Sequence, residues 1–208
     1  MIRSNTQRSR TRKILLSMAV LGCAASIAGL GTFASFTSTT SASQTVSSGT
    51  VVIALGATGA STNRLTVNAT GVVPGDTMQR SFNIANTGSQ NLASITLTTT
   101  ATTSSLLDTD ATDGLQMIIE RCSVAWVEVG TSPAFTYTCA GTTSTVLASR
   151  AVIGSTLSLS NLTTTTAGNT DNLRLTLSLP SSAGNSFQGV SSTIQYSFTG
   201  TQRAGTDA

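Results

Sequence analysis

Apolar residues alternate with polar residues along much of the chain, most regularly in its last third. In NLRLTLSLP the residues at 173, 175, 177 and 179 are all leucine, and STIQYSF repeats the pattern with Ile194, Tyr196 and Phe198. A period of two places the apolar residues of a segment on one face of a β-strand. The same pattern predicts strands at residues 50–55, 64–69, 79–85, 92–100, 115–122, 125–129, 135–139 and 157–159.

Short clusters of turn-forming residues separate these segments. Pro74-Gly75-Asp76, Asn86-Thr87-Gly88 and Gly184-Asn185 are examples, and they favour turns because Gly tolerates positive φ while Pro presets φ. Residues 105–121 are less regular, and we expect a loop or one helical turn at residues 106–112. Eight to ten short strands joined by such turns predict an all-β fold, an antiparallel β-sandwich of the jelly-roll or immunoglobulin type.

Composition supports this fold class. Ser and Thr contribute 69 of the 208 residues, whereas charged residues make up 9% and Pro only 3 residues. Disorder requires high net charge or few apolar residues, and neither condition is met. The abundant Thr suits the solvent face of strands, where β-branched side chains pack well.

The first 34 residues have the form of a secretory signal peptide. The first thirteen contain five cations and no acid, and residues 14–30 carry no charge. Thr32-Phe33-Ala34 then supplies small residues at the positions three and one before a cleavable bond. We predict cleavage between Ala34 and Ser35, with Ala42 as the alternative site, and a secreted protein. An uncleaved signal anchor is the competing interpretation, because the apolar segment approaches the length of a membrane span.

Removal of this leader reverses the charge of the chain. The whole sequence carries +3, and subtracting the five cations of the leader leaves −2 for residues 35–208. The remaining cations are single Arg residues spread along the chain, so the clustered basic surface of a nucleic-acid-binding protein is not predicted. We expect a Ser/Thr-rich segment at residues 35–49, one β-sandwich domain at 50–203 and a short tail at 204–208.

Two of the three cysteines remain after cleavage. Cys23 lies in the leader, whereas Cys122 and Cys139 form an even pair in a chain expected to be exported. Exported proteins meet oxidising conditions, so a disulfide between them is the default prediction. Two free buried thiols are the alternative.

The residue types exclude most catalytic sites. The chain contains no His, which removes Ser-His-Asp catalysis and the two-His zinc motif. Lys is absent after Lys13, which removes Schiff-base chemistry.

One acidic cluster remains as a candidate metal site. Asp108, Asp110, Asp113 and Glu120 resemble the spacing of a calcium loop, in which oxygen ligands alternate around a Gly. The register departs from the EF-hand pattern by one residue, because Asp113 stands where Gly is needed. A solvated acidic turn is the simpler interpretation, and we otherwise expect no cofactor.

Several motifs in order resemble the TasA/camelysin family of exported bacterial proteins. They are the leader ending GLGTFASF, the spacer ending SSGTVVIAL, the segment VVPGDTMQRSFNIANTGSQNLASITL and the ending GVSSTIQYSFTGTQRAG. The resemblance covers both ends of the chain and the first third of the residues after the leader. Within the family, the chain is most similar to the Cys-containing members of high-GC Gram-positive bacteria.

This resemblance implies a jelly-roll domain, release by a dedicated signal peptidase and assembly with itself into extracellular fibres of the biofilm matrix, with other matrix proteins as further partners. The freed N-terminal segment would leave its own subunit and insert as a strand into the next one. The residues expected to fill apolar pockets there are Phe36, Val46, Val51 and Ile53. A tail that takes no part in assembly is the alternative.

The resemblance also brings a metallopeptidase label through camelysin, which the absence of His argues against. We therefore expect a structural subunit without catalysis. The alternatives are a camelysin-like cell-surface peptidase and a monomeric calcium-binding adhesin.

Overall fold

The computed structural model describes residues 48–66, 68 and 71–205. The leader, the predicted cleavage site and most of the Ser/Thr-rich segment lie outside these residues. Ten β-strands dominate the described part, and all their pairings are antiparallel: β1 (Ile53–Leu55), β2 (Thr77–Asn86), β3 (Leu92–Thr103), β4 (Gln116–Cys122), β5 (Trp126–Thr131), β6 (Ala134–Cys139), β7 (Thr143–Ala151), β8 (Gly154–Ser158), β9 (Thr170–Ser178) and β10 (Thr193–Gln202).

The strands form two main sheets and one hairpin. The first sheet has the order β1-β2-β9-β4-β7, the second has the order β10-β3-β8, and β5 pairs only with β6. From β2 to β4, and again from β7 to β10, successive strands alternate between the two main sheets. This alternation between two antiparallel sheets is typical of a jelly roll, so the predicted all-β class is confirmed.

Alternating side chains of both sheets fill the core. Phe82 and Ile84 on β2, Ile95 and Leu97 on β3, and Leu173 on β9 are each at most 1% exposed. They occupy every second position of their strands, which is the pattern seen in the sequence. The core therefore lies between the five-stranded and the three-stranded sheet.

Only short helical pieces occur in the described residues. One helical turn, Leu106–Thr109, begins at Ser105, whose hydroxyl accepts from Leu107 N at 3.1 Å. It confirms the single turn expected in this region. A 3₁₀ turn covers Asn185–Phe187, and no helix among the described residues is long and apolar enough to cross a membrane.

The strands predicted from the sequence differ from the structure in two places, one predicted strand that is absent and one strand that was not predicted. Residues 64–66 and 68 form no strand, because the chain makes one bridge from Asn63 to Phe82 and then turns away. Conversely, β7 was not predicted. Its pairing with β4 shifts register beside Val146, so Val146 and Leu147 are both buried although adjacent. Such a bulge removes the alternation on which the prediction depends.

Candidate functional site

Strand β10 offers a long free edge. It pairs with β3 on one side, and within the described residues its other side has no partner strand. The pairing runs without a break from Ile194 to Thr201. An edge of this length presents unpaired backbone N–H and C=O groups, which makes it a template for an added strand.

The other three edges of the two main sheets are less suited to strand addition. Strand β1 has three residues, and register shifts interrupt β7 and β8. In β8, Thr156 has φ of 49°, a left-handed conformation that β-branched residues rarely adopt. Bulges and short strands are the usual protection of an edge, so within the described residues β10 is the one regular edge of the two main sheets.

A cleft of about 260 Å³, lined mainly by apolar residues, lies between β1 and β10. Its lining includes Ile53 and Leu55 of β1, Ile84 of β2, and Tyr196 and Phe198 of β10. Burial raises the pKa of the Tyr196 hydroxyl, and the charge of Arg80 acts in the opposite direction. The cleft thus combines an open strand edge with pockets for apolar side chains.

Gly200 sets how closely β1 approaches β10. A Cβ at this position would lie 3.1 Å from Ile53 Cγ2 and 3.1 Å from Leu92 Cδ1, closer than ordinary van der Waals contact. The missing side chain therefore allows the two edge strands to approach at this end of the cleft.

The residues predicted for strand donation fall into two groups. Val51 and Ile53 are half-buried and pack against the core of their own domain. Phe36 and Val46 lie outside the described residues, as do Ala34 and Ser35. The part of the chain still available as a donor therefore ends before Thr50, whose carbonyl accepts from Ser89 N at 2.9 Å.

The predicted calcium ligands are engaged separately. Burial tends to raise the pKa of Asp108, but hydrogen bonds from Ser192, Ser105 N and Ser104 outweigh it and lower that pKa. Asp110 Oδ1 accepts from the backbone N–H groups of Thr112 and Asp113 at 2.9 Å each.

The other two carboxylates have their own partners. Asp113 Oδ1 accepts from Ser182 Oγ at 2.5 Å, and Glu120 lies on β4 in an ion pair with Arg174 of β9. Among the described residues, no group of three or more acidic, Cys or His residues could hold a metal ion. The arrangement therefore gives no support to the calcium hypothesis, which stays a prediction.

The β5–β6 hairpin covers the outer face of the five-stranded sheet. Arg64 binds Glu128 through two hydrogen bonds, Nη2 to Oε1 at 2.6 Å and Nε to Oε2 at 3.0 Å. Tyr137 Oη donates to Glu128 Oε2 at 2.8 Å. The hydrogen bonds from Arg64 lower the pKa of Glu128, so this carboxylate is held in its charged form.

A second cation, Arg174, contacts both strands of the hairpin. The guanidinium of Arg174 lies 4.3 Å from the ring centre of Trp126 and donates to Tyr137 O at 3.0 Å. Trp126 Nε1 donates to Asn172 O at 3.1 Å. Trp126 is thus held against the sheet by its ring face and its N–H, which is a structural role.

The predicted disulfide between Cys122 and Cys139 is confirmed, with their Cα atoms 5.7 Å apart. It joins the end of β4 to the end of β6 and fixes the hairpin over the sheet. Sequence reasoning missed the hairpin contacts, because Arg64 and Glu128 lie 64 residues apart and no local pattern links them. The alternation in β10 was visible, but its position at a sheet edge was not.

A family model described as camelysin metallo-endopeptidase matches residues 11–207 of the chain. No curated protein matches it.

Proposed function

The chain belongs to the camelysin metallo-endopeptidase family, and from that premise we propose that it is an exported structural subunit that assembles into extracellular fibres by N-terminal strand donation. The membership confirms the resemblance to the TasA/camelysin family drawn from the sequence motifs, and it supports an extracellular protein. The fibre and its mechanism are the proposal.

The observation that carries the proposal is the free edge of β10 above a cleft lined mainly by apolar residues. A strand added to β10 would satisfy the backbone groups of Ile194 to Thr201, and its apolar side chains would reach the surfaces of Tyr196 and Phe198. Main-chain pairing supplies affinity in such complexes, and side-chain pockets supply specificity.

The segment at residues 35–49 has the properties that this site requires. It contains no charged residue and no Pro, so nothing in it opposes pairing with a charge-free strand. Phe36 and Val46 are an even number of residues apart, so they lie on the same face of an unbroken strand. One face of the donor would therefore enter the cleft and the other would remain outside.

The place where this segment joins the domain favours transfer to a neighbour. Val52 O accepts from Thr87 N at 3.0 Å, which ties the chain to the turn after β2. Gly49 lies against the side chain of Gln90, and Gln90 Oε1 accepts from Arg203 just beyond β10. The donor thus departs beside one end of the acceptor strand, which suits head-to-tail addition of subunits.

The residues present do not fit the metal that the family description implies. Cys122 and Cys139 are joined to each other, the chain has no His, and Asp108 and Glu120 have separate partners. We therefore propose that this member does not act as a peptidase. Chelator-sensitive cleavage of casein by the purified protein would contradict that part of the proposal.

Electron microscopy of the chain at residues 35–208 tests the fibre directly. We expect fibres from this form and none after deletion of residues 35–48 or when one or two residues precede Ser35. A synthetic peptide of residues 35–49 should occupy the acceptor and shorten the fibres. A deleted form that still polymerises would refute strand donation.

A matched pair of substitutions tests the orientation of the donor. Val46→Lys places a charge on the face that enters the cleft, so we expect it to abolish fibres. Thr45→Lys places the same charge on the opposite face and should leave fibres intact. Equal effects of the two substitutions would mean that charge alone, and not entry of Val46 into the cleft, controls assembly.

A further inference from the structure

The outward face of the three-stranded sheet carries no charge. Strands β3, β8 and β10 contain 12, 5 and 10 residues, and none of these is Asp, Glu, Lys or Arg. On β3 and β10 the outward side chains are mostly Ser and Thr. We call this surface the hydroxyl face and define it by three pairs, Ser197 opposite Thr98, Thr199 opposite Thr96, and Thr201 opposite Ser94.

The hydroxyl groups of the β10 members are available for contacts outside the subunit, whereas on β3 Thr98 Oγ1 accepts from Thr156 N at 3.1 Å. Ser197, Thr199 and Thr201 are exposed, and within the described residues their hydroxyls form no hydrogen bond to protein atoms. Paired outward residues on neighbouring strands lie about 5 Å apart, so the groups form a regular array. Each hydroxyl can both donate and accept, which makes the array complementary to a copy of itself.

We propose that the hydroxyl face packs against the same face of a second copy, so that fibres of this chain associate side by side. The inference rests on the proposed fibre and adds a lateral contact to it. Identical charged faces would repel each other, and residues 35–208 carry a net charge of −2. A face without charge is the part of this surface where two identical molecules meet at least electrostatic cost.

The size of the face fits a contact that is weak alone and strong when repeated. The longest strand of the sheet has twelve residues, and the two others are shorter. With the usual rise per residue and spacing between strands, the face covers about 500 Å² on each copy. Two copies would therefore bury about 1,000 Å², the lower limit for a specific interface. A fibre repeats the contact at every subunit, and repetition raises the overall affinity without any new contact.

The hydroxyl face is also continuous with the acceptor edge. Residues 35–49 are rich in Ser and Thr and contain no charge. If they add to β10, they extend the charge-free sheet by a fourth strand with the same chemistry. Fibre formation would then enlarge the lateral surface, so side-by-side packing should follow assembly.

Paired substitutions on the face test the inference. Thr96→Lys with Ser158→Lys places two cations on one cross-strand pair of β3 and β8, away from the acceptor strand, and Thr96→Glu with Ser158→Glu places two anions there. The matched control is Val129→Lys with Thr136→Lys, an opposite pair on the β5–β6 hairpin. Bundling is read from low-speed sedimentation and electron microscopy, and fibre formation from high-speed sedimentation.

We expect both face variants to form single fibres and to lose at least tenfold of the low-speed pellet, while the hairpin control bundles like the unsubstituted chain. Mixing preformed Lys fibres with Glu fibres should restore bundling at low salt and not in about 1 M NaCl, where charges are screened. Normal bundling of the Lys pair, or an equal loss in the hairpin control, would overturn the proposal.

Two further outcomes separate this inference from its premise. If the unsubstituted chain forms no fibres, the fibre proposal fails, and the face is tested by sedimentation equilibrium of the soluble chain. A dimer that the Lys pair loses would then support the contact, and a monomer would overturn it. Low-speed pelleting that appears only after dextran is added would assign the face to a neutral polysaccharide and overturn self-packing.

Discussion

The outer faces of the two sheets differ in chemistry and in what covers them. On the five-stranded sheet, Glu120 and Arg174 form a cross-strand ion pair, and the β5–β6 hairpin lies over them. On the three-stranded sheet, the outward residues are uncharged and nothing among the described residues covers them. The outer face of the five-stranded sheet, here called the covered face, has its contacts within the subunit. The outer face of the three-stranded sheet, which is the hydroxyl face and is here also called the bare face, is left for partners outside the subunit.

This difference indicates where the protein needs stability and where it needs to bind. The covered face is fixed by a disulfide, two Arg–Glu pairs and the half-buried ring of Trp126. Leaving the bare face and the adjoining β10 edge exposed costs the free subunit little free energy, because water solvates their Ser and Thr side chains well. Substitutions on the covered face should therefore change stability, and those on the bare face should change association.

The largest effect is expected from removal of the disulfide. Cys122→Ala with Cys139→Ala opens a loop with a sequence separation of 17, which should cost about 3 kcal/mol of the free energy of unfolding. For a domain of this size, Tm should fall by roughly 6–12 °C. Differential scanning calorimetry measures this change in Tm, and the unsubstituted chain with its disulfide reduced is the control. An unchanged Tm would mean that the hairpin is held by its polar contacts alone.

A smaller effect is expected from the cation of the covered face. Arg174→Ala leaves Glu120 without its partner and removes the contact with Trp126, which should cost about 1–2 kcal/mol, between the values for exposed and buried pairs. Thr199→Ala on the bare face is the matched control, and it should change stability by less than about 0.5 kcal/mol. Urea denaturation of both variants measures the difference, and similar losses would remove the contrast between the faces.

The pair of Arg64 and Glu128 should make the covered face sensitive to acid. Hydrogen bonds from Arg64 lower the pKa of Glu128 in the folded chain, so the pair stabilises the protein above the ordinary Glu value of about 4.3. That stability is lost as the pH falls through the lowered pKa. Tm measured from pH 6 to pH 2 should fall less steeply in Glu128→Gln than in the unsubstituted chain. A steeper fall in the variant would contradict this assignment.

Much of the fold was predictable because its strands alternate regularly. The leucines of β9 and the aromatic residues of β10 mark one face at every second position, and the structure places both strands as expected. Strand β7 was missed because its bulge buries Val146 beside Leu147. Residues 64–69 show the same alternation in sequence. An alternating segment becomes a strand only where another strand lies beside it to pair with, and the pattern alone does not reveal this.

The candidate site was less predictable because it depends on topology. Nothing local in STIQYSF tells that β10 ends a sheet, since an edge is defined by which strand is absent beside it. The calcium hypothesis grouped Asp108 with Glu120 by their spacing in the sequence. The fold separates them, because one residue caps a helical turn and the other lies within β4 on the covered face.

The smallest effect is expected at Thr156, and it should have the opposite sign. This residue borders the bare face with φ of 49°, and its N–H donates to Thr98 Oγ1 at 3.1 Å. A β-branched residue is strained in the left-handed region, whereas Asn adopts it more readily. Thr156→Asn should therefore raise the free energy of unfolding by about 0.5–1 kcal/mol and Tm by roughly 1–4 °C. Ser155→Asn, the preceding exposed position, is the control and should leave Tm unchanged. A lower Tm for Thr156→Asn would show that this edge depends on the Thr side chain itself, so the bare face would also contribute to stability.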